Sequence, residues 1–250
     1  MQAQALKTVF LAWQAPDRNW FPVGRLVHDV ANMRYEFDYT NGALLAQQQA
    51  GFTPLIAFPD FNQHYCATEL FPLFANRVLA RSRKEFAEYL NSLDLDPNHL
   101  DLLDVLAVSG GERQTDSFEV FPKMEKTIDG NFKCRFFLHG LRHAHPVGAE
   151  RAAQLAVGEA LQILIEVNNP KSQTAICLQS SDYLPLGWAP RYLVADLLRA
   201  MAAGPHLEAK LVKANPDNVP LNRRYLIEMQ GRLPTDFEPM SGEQFQIIGH

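Results

Sequence analysis

The chain has 250 residues and a mass of 28.2 kDa, with 47% hydrophobic and 20% charged residues. That composition excludes a largely disordered chain, and the length suits one large domain or two. No run of 18 apolar residues occurs, so a spanning helix is not expected, and a net charge of -5 argues against a generic polyanion binder.

Near the start, a single Lys7 and the apolar run 9–13 are too little for a signal peptide, which points to the cytoplasm. Cys66, Cys134 and Cys177 are odd in number and lack CxxC spacing, so they read as free thiols in a reducing compartment. Charge is uneven along the chain. Residues 1–130 carry 11 basic and 17 acidic side chains, and residues 131–250 carry 12 and 11. An anion-binding surface is therefore expected in the second part. The step falls at the turn-type cluster Asp129-Gly130-Asn131, which predicts domains at 1–130 and 131–235 and a C-terminal tail at 236–250.

Alternation predicts strands with Val9, Leu11 and Trp13 on one face and Met33, Tyr35, Phe37 and Tyr39 on another, opposite Arg34, Glu36 and Asp38. Between them, Pro22 and Gly24 predict an edge or bulged strand over 20–30. A three-stranded antiparallel sheet is the economical expectation. Helices follow. Thr68 is expected to cap a helix over 69–79 with Pro72 in its first turn, and Ser82 with Glu85 to form a capping box before Phe86. Asn98 and Asp101 frame a third helix carrying Leu102, Leu103, Val105 and Leu106 that Gly110-Gly111 ends, and 117–121 returns as a strand. Asp94, Asp96 and Asn98 imitate a calcium loop, but His99 stands where glycine is needed and Val105 where the bidentate Glu belongs.

In the second part, Phe132, Cys134, Phe136 and Leu138 alternate as a strand. Gly158 divides 149–167 into a short helix and a strand, and further strands are expected at 175–178, 184–188, 207–212 and 225–229. Helical spacing of Leu193, Leu197 and Met201 starts after Pro190 and stops at Gly204-Pro205. Six short strands with one or two helices predict a mainly β, small and partly open barrel rather than a sandwich, following an α+β first domain. HGLRHAH (139–145) brings three histidines together, but Gly140 breaks helical ligand spacing, so a polar rim is expected rather than a metal site. No GxSxG, HExxH or GxxxxGK[ST] motif occurs, and neither enzyme activity nor a cofactor is expected.

Two family resemblances arise from motif order. VGRL (23–26), YEFDY (35–39), ELFPLFANRV (69–78) and LLDVLAVSGGERQTDSFEVFP (102–122) resemble the N-terminal subdomain of HipA-type toxin kinases over about residues 8–125. The kinase core is missing: no phosphate loop, HRD-like loop or metal-binding Asp motif follows, so no phosphoryl transfer is expected. The resemblance implies a protein partner, for instance a separately encoded HipA-like kinase of the toxin-antitoxin kind.

RFFLHGLRH (135–143), LAVGEALQILIEVNNPKSQTAI (155–176) and LGWAPRYLVADLL (186–198) are similar to the HIRAN domain over about residues 132–232. That resemblance implies an OB-like barrel that grips single-stranded DNA at its 3′ end. Arg142 and His143 match a phosphate- and base-contacting Arg-Tyr pair, and Asn168, Asn169 and Pro170 match the family turn. Trp188 and Arg191 match the aromatic or His and the basic residue at the helix entry. Lys171 replaces an aromatic, and Ser172 replaces the Asp that reads a terminal hydroxyl. The resemblance therefore implies a non-enzymatic bacterial protein binding single-stranded DNA or DNA ends through Arg142, His143, Asn168, Asn169, Lys171, Ser172, Trp188 and Arg191. The alternative is an interaction regulator of a kinase in which the barrel is only a scaffold.

Overall fold

The computed structural model describes residues 6–113, 115–204 and 206–249. The chain divides into two compact units, residues 1–123 with 240–250, and residues 124–239. Together they hold two antiparallel sheets with helices, an α+β protein. No helix among the described residues is long and apolar enough to cross a membrane.

The first unit contains β1 (Leu6–Gln14), β2 (Trp20–Asp29), β3 (Arg34–Tyr39), α1 (Asn41–Ala50), β4 (Tyr65–Ala67), α2 (Pro72–Ala75), α3 (Phe86–Ser92), α4 (Leu102–Ser109) and β5 (Phe118–Pro122). Its sheet has five strands rather than three, in the order β4-β3-β2-β1-β5. β1 is an interior strand, paired on both sides, and Val9, Phe10, Leu11 and Ala12 are buried on both of its faces. In β2, Leu11 pairs with Gly24 and Ala12 with Pro22, leaving Val23 as the extra residue of a bulge. Of the two expectations for this strand the bulge holds and the edge does not, because the bulge admits proline to an interior strand. Gly24 is obligatory beside it: a Cβ there would stand 2.5 Å from the Phe37 ring. That ring stacks on Phe58 at 4.0 Å and lies 5.8 Å from Phe74, at the centre of the core.

Several local expectations are also corrected. Met33 leaves the strand at φ 47° and is exposed, because the β2–β3 turn needs that conformation there. The helix sought over 69–79 is the single turn α2, with Pro72 at its first position and Phe71 rather than Thr68 as its cap. Glu85, not Ser82, precedes α3, and its side chain makes no cap. α4 forms as expected, with the Asp101 carboxylate accepting from Leu103 N–H at 2.9 Å and Gly110 as C-cap.

The segment expected as a tail belongs to the first unit. Tyr39 O accepts from Ile248 N–H at 3.0 Å, Gln246 O accepts from Asn41 N–H at 2.8 Å, and Phe245 meets Phe10 edge-on. Met240 and Ile248 are buried. The passage between units therefore occurs at 123/124 and again at 239/240. Asp129-Gly130-Asn131 is instead a turn inside the second unit, closed by Thr127 N–H to Asn131 O at 2.8 Å.

The second unit contains β6 (Asn131–Phe137), α5 (Pro146–Ala153), β7 (Ala160–Asn169), β8 (Gln173–Gln179), β9 (Pro185–Trp188), α6 (Arg191–Ala203), β10 (Glu208–Ala214) and β11 (Tyr225–Arg232). Six strands and two helices match the expected elements. Gly204 ends α6, and Pro205 lies outside the described residues. The strand order is β6-β11-β10-β7-β8-β9, and the ladder is open between β9 and β6. Among the described residues, the isolated bridge His139–Trp188 joins those ends.

Glu228 on β11 is buried among Lys133, Arg135 and Lys210, at 3.0, 2.9 and 3.2 Å. Burial alone would raise its carboxyl, but hydrogen bonds from the three cations hold it down at about 2. A depressed carboxyl stabilises the fold above its ordinary value and loses that contribution as pH falls through the folded one. Glu228→Gln should therefore cost roughly 2 kcal/mol at pH 7, after discounting for exposed partners, with the gap to wild type closing between about pH 4.5 and 2. Urea unfolding across that range checks it. Ending the chain after Pro239 should destabilise the first unit by at least about 3 kcal/mol, since two buried apolar side chains are lost. Hydrogen exchange should show protection falling in β1–β3 and unchanged in β6–β11.

Candidate nucleic-acid interface

The expected site residues come from three places in the second unit, and backbone pairing gathers them. Beyond β6, His139 N–H donates to Trp188 O at 2.9 Å and Trp188 N–H donates to His139 O at 3.0 Å. Gly140 follows at φ 73°, and a Cβ there would stand 2.4 Å from the Trp188 ring. Only glycine permits this turn against the indole. It leads into a single 3₁₀ turn, Leu141–His143, with Leu141 buried and Arg142 and His143 exposed. This turn packs on β9 and on the Leu221–Arg223 turn.

Trp188 is half-buried, with Gly140 against its six-membered ring. Its Nε1–H donates to Glu166 Oε2 at 3.0 Å, and the same oxygen accepts from Asn169 Nδ2 at 2.7 Å. Asn169 Oδ1 accepts from Lys171 N–H at 3.0 Å, Ser172 N–H at 3.3 Å and Ser172 Oγ at 3.2 Å. Asn169 and Ser172 are thus spent on folding the β7–β8 turn, an Asx turn. Asn168 is exposed where the β7–β8 register slips between Glu166 and Asn169. Arg191, the first residue of α6, donates from Nη2 to Lys171 O at 3.0 Å and joins that turn to the helix entry.

Among the described residues, Arg142, Lys171 and Arg191 form no salt bridge, although all three are exposed. Elsewhere in the unit, Lys133, Arg135 and Lys210 share Glu228, Arg151 bridges Glu159 and Asp182, and Arg224 holds Asp217. Burial, with the Arg191 charge nearby, lowers His139 to about 4 and keeps its ring neutral at pH 7. Burial, followed by the Glu166 carboxylate, pushes the Cys177 thiol up to about 12, so it is no nucleophile at neutral pH. The histidines of 139–145 do not act as a set. His139 is neutral beside Trp188, His143 is exposed, and His145 caps α5 by accepting from Val147 N–H through Nδ1.

Glu166, Gly140 and His139 are site residues that sequence reasoning missed. A lone acid in a strand carries no motif, and its partners become visible only once β8, β9 and the turn are paired.

No family model matches the chain, and no curated protein matches it. Among solved structures, a crystal structure of a Lactobacillus plantarum protein is similar at 18% identity. The match covers 41% of this chain and all of that one, at a TM-score of 0.32. A likeness at that level assigns neither fold nor function.

Glu166→Ala should leave the Trp188 indole N–H and the Asn169 amide without their shared acceptor. The expected cost is about 1–3 kcal/mol, and Glu166→Gln, which keeps an acceptor, should cost less. Chemical unfolding of both variants checks it.

Proposed function

We propose that the protein is a non-enzymatic nucleic-acid-binding factor whose second unit takes single-stranded DNA or DNA ends. The supporting observation is the convergence of Arg142, Lys171 and Arg191, three exposed cations with no carboxylate partner among the described residues, around one pair of turns. Lys133, Arg135, Arg151, Lys210 and Arg224 of the same unit are paired with carboxylates, whereas these three cations are not, which favours them as a phosphate-facing surface. Guanidinium groups suit that ligand because they donate in pairs to phosphate oxygens. His143 and Asn168 rim the surface, and Trp188 offers at most the ring face opposite Gly140. Affinity in this reading comes mainly from phosphate contacts, with stacking secondary. We read the six strands as a HIRAN-like, OB-like barrel closed at His139–Trp188. We read the first unit as a HipA-like module that binds a protein.

One observation favours the second reading, an interaction regulator of a HipA-like kinase. Asn169 and Ser172 are committed to the turn, and one face of Trp188 is covered, which leaves few groups for a nucleotide.

Fluorescence anisotropy of the full chain at low salt separates the two. Labelled single strands should bind more tightly than blunt duplex, because only unpaired bases expose stacking faces. Arg142→Ala should cost roughly 1–3 kcal/mol, and each cation removed should lower the salt slope by about 1. A free and a phosphorylated 3′ end should bind alike, because Ser172 places no carboxylate there to repel the phosphate. No binding to any single strand at micromolar protein overturns the nucleic-acid reading and leaves the regulator.

A further inference from the structure

In the first unit, β3 and β4 pair with Glu36 directly opposite Cys66 and Phe37 opposite Tyr65. Phe37 and Tyr65 point into the core. Alternation therefore puts Glu36 and Cys66 on the other, polar face, with Asp38 and His64 as the next pair along it. A ring nitrogen of His64, the Cys66 sulfur and a Glu36 carboxylate oxygen all lie within 4.8 Å of one another. Ligands on one tetrahedral ion stand about 3.5 Å apart, so the three need close by only about 1 Å. Cys66 and His64 are exposed, and rotation of the Cys66 side chain can supply that adjustment.

Asp38 supplies an independent pointer. Its side chain is almost fully buried, its Oδ1 lies 2.6 Å from His64 Nδ1, and its Oδ2 meets Arg25 Nη2 at 3.4 Å. A proton on Nδ1 serves this hydrogen bond and leaves the lone pair on Nε2. That carboxylate–imidazole arrangement is the one that orients metal-ligating histidines and raises their basicity. Against this stands the Arg34–Glu36 ion pair. Arg34 is half exposed and Glu36 only partly so, and a pair with an exposed partner is held weakly enough for a divalent ion to compete with it.

We propose that Glu36, His64 and Cys66 form a three-ligand site for a zinc-class divalent ion, with Asp38 as the positioning residue behind His64. Imidazole and thiolate select zinc, cobalt and similar ions over magnesium and calcium, and three protein ligands leave one position for water or a partner's ligand.

The test uses the untagged full chain, stripped by chelator, with cobalt and zinc as probes. Cobalt should produce a thiolate charge-transfer band that zinc abolishes, magnesium leaves unchanged, Cys66→Ser removes and Cys134→Ser retains. Zinc affinity, read by competition with a chromogenic chelator, should fall in His64→Ala and drop about 10–100-fold in Asp38→Asn. Should Asp38→Asn disturb folding, wild-type protein carries the same test, because saturating zinc should slow alkylation of Cys66. Absence of a thiolate band, a band that survives Cys66→Ser, or alkylation indifferent to zinc overturns the site.

Discussion

The second unit depends on one reciprocal backbone pair. His139 and Trp188 exchange two hydrogen bonds where the ends of the ladder meet. Two such bonds contribute only about 1–3 kcal/mol net, so they do not hold the unit together. The apolar interior does that: Leu138, Leu178, Leu186, Leu197, Leu211 and Ile227 are almost wholly buried. What the pair does is fix geometry. It covers part of two otherwise open strand edges, presses Gly140 onto the indole, and sets where the Arg142 turn and the α6 entry stand.

The first unit has a comparable anchor at the end of β3. The Tyr39 hydroxyl donates to Phe58 O at 2.8 Å and accepts from Leu55 N–H at 2.6 Å, while its own carbonyl takes Ile248 N–H. Burial, the largest influence, pushes its phenol up to about 12, so it remains a donor. Thr40 next to it donates its hydroxyl to Pro22 O at the β2 bulge. A loop, a bulge and the returning C-terminal segment thus meet at two adjacent residues.

Legibility followed how local each cause was. α4 was readable because Asp101 and Gly110 are its own start and stop, and α6 because Pro190 and Gly204 bracket it. α1 was not, because it buries Gly42, Ala43 and Ala46 rather than a stripe of large apolar residues. Thr68 and Ser82 had cap-like spacing, but the helices start later, at Pro72 and Phe86, without a side-chain cap. At the site, the exposed cations were legible as residue types. Their convergence, and the Glu166 carboxylate between Trp188 and Asn169, depend on pairing between β7, β8 and β9. The second passage between units was hidden for the same reason, since it rests on contacts of 240–248 with residues some 200 positions earlier.

That second passage makes residues 124–239 an insertion within the first unit. On a ribosome, synthesis is vectorial and domains usually mature from the N-terminus onward. Here the usual sequence is inverted. All strands of the inner unit leave the tunnel before Ile248 reaches Tyr39, so the inner unit can close while the outer one still lacks part of its core. Through that interval the outer sheet has its Phe10 and Tyr39 region unsealed, and transiently exposed apolar surface of this kind favours aggregation.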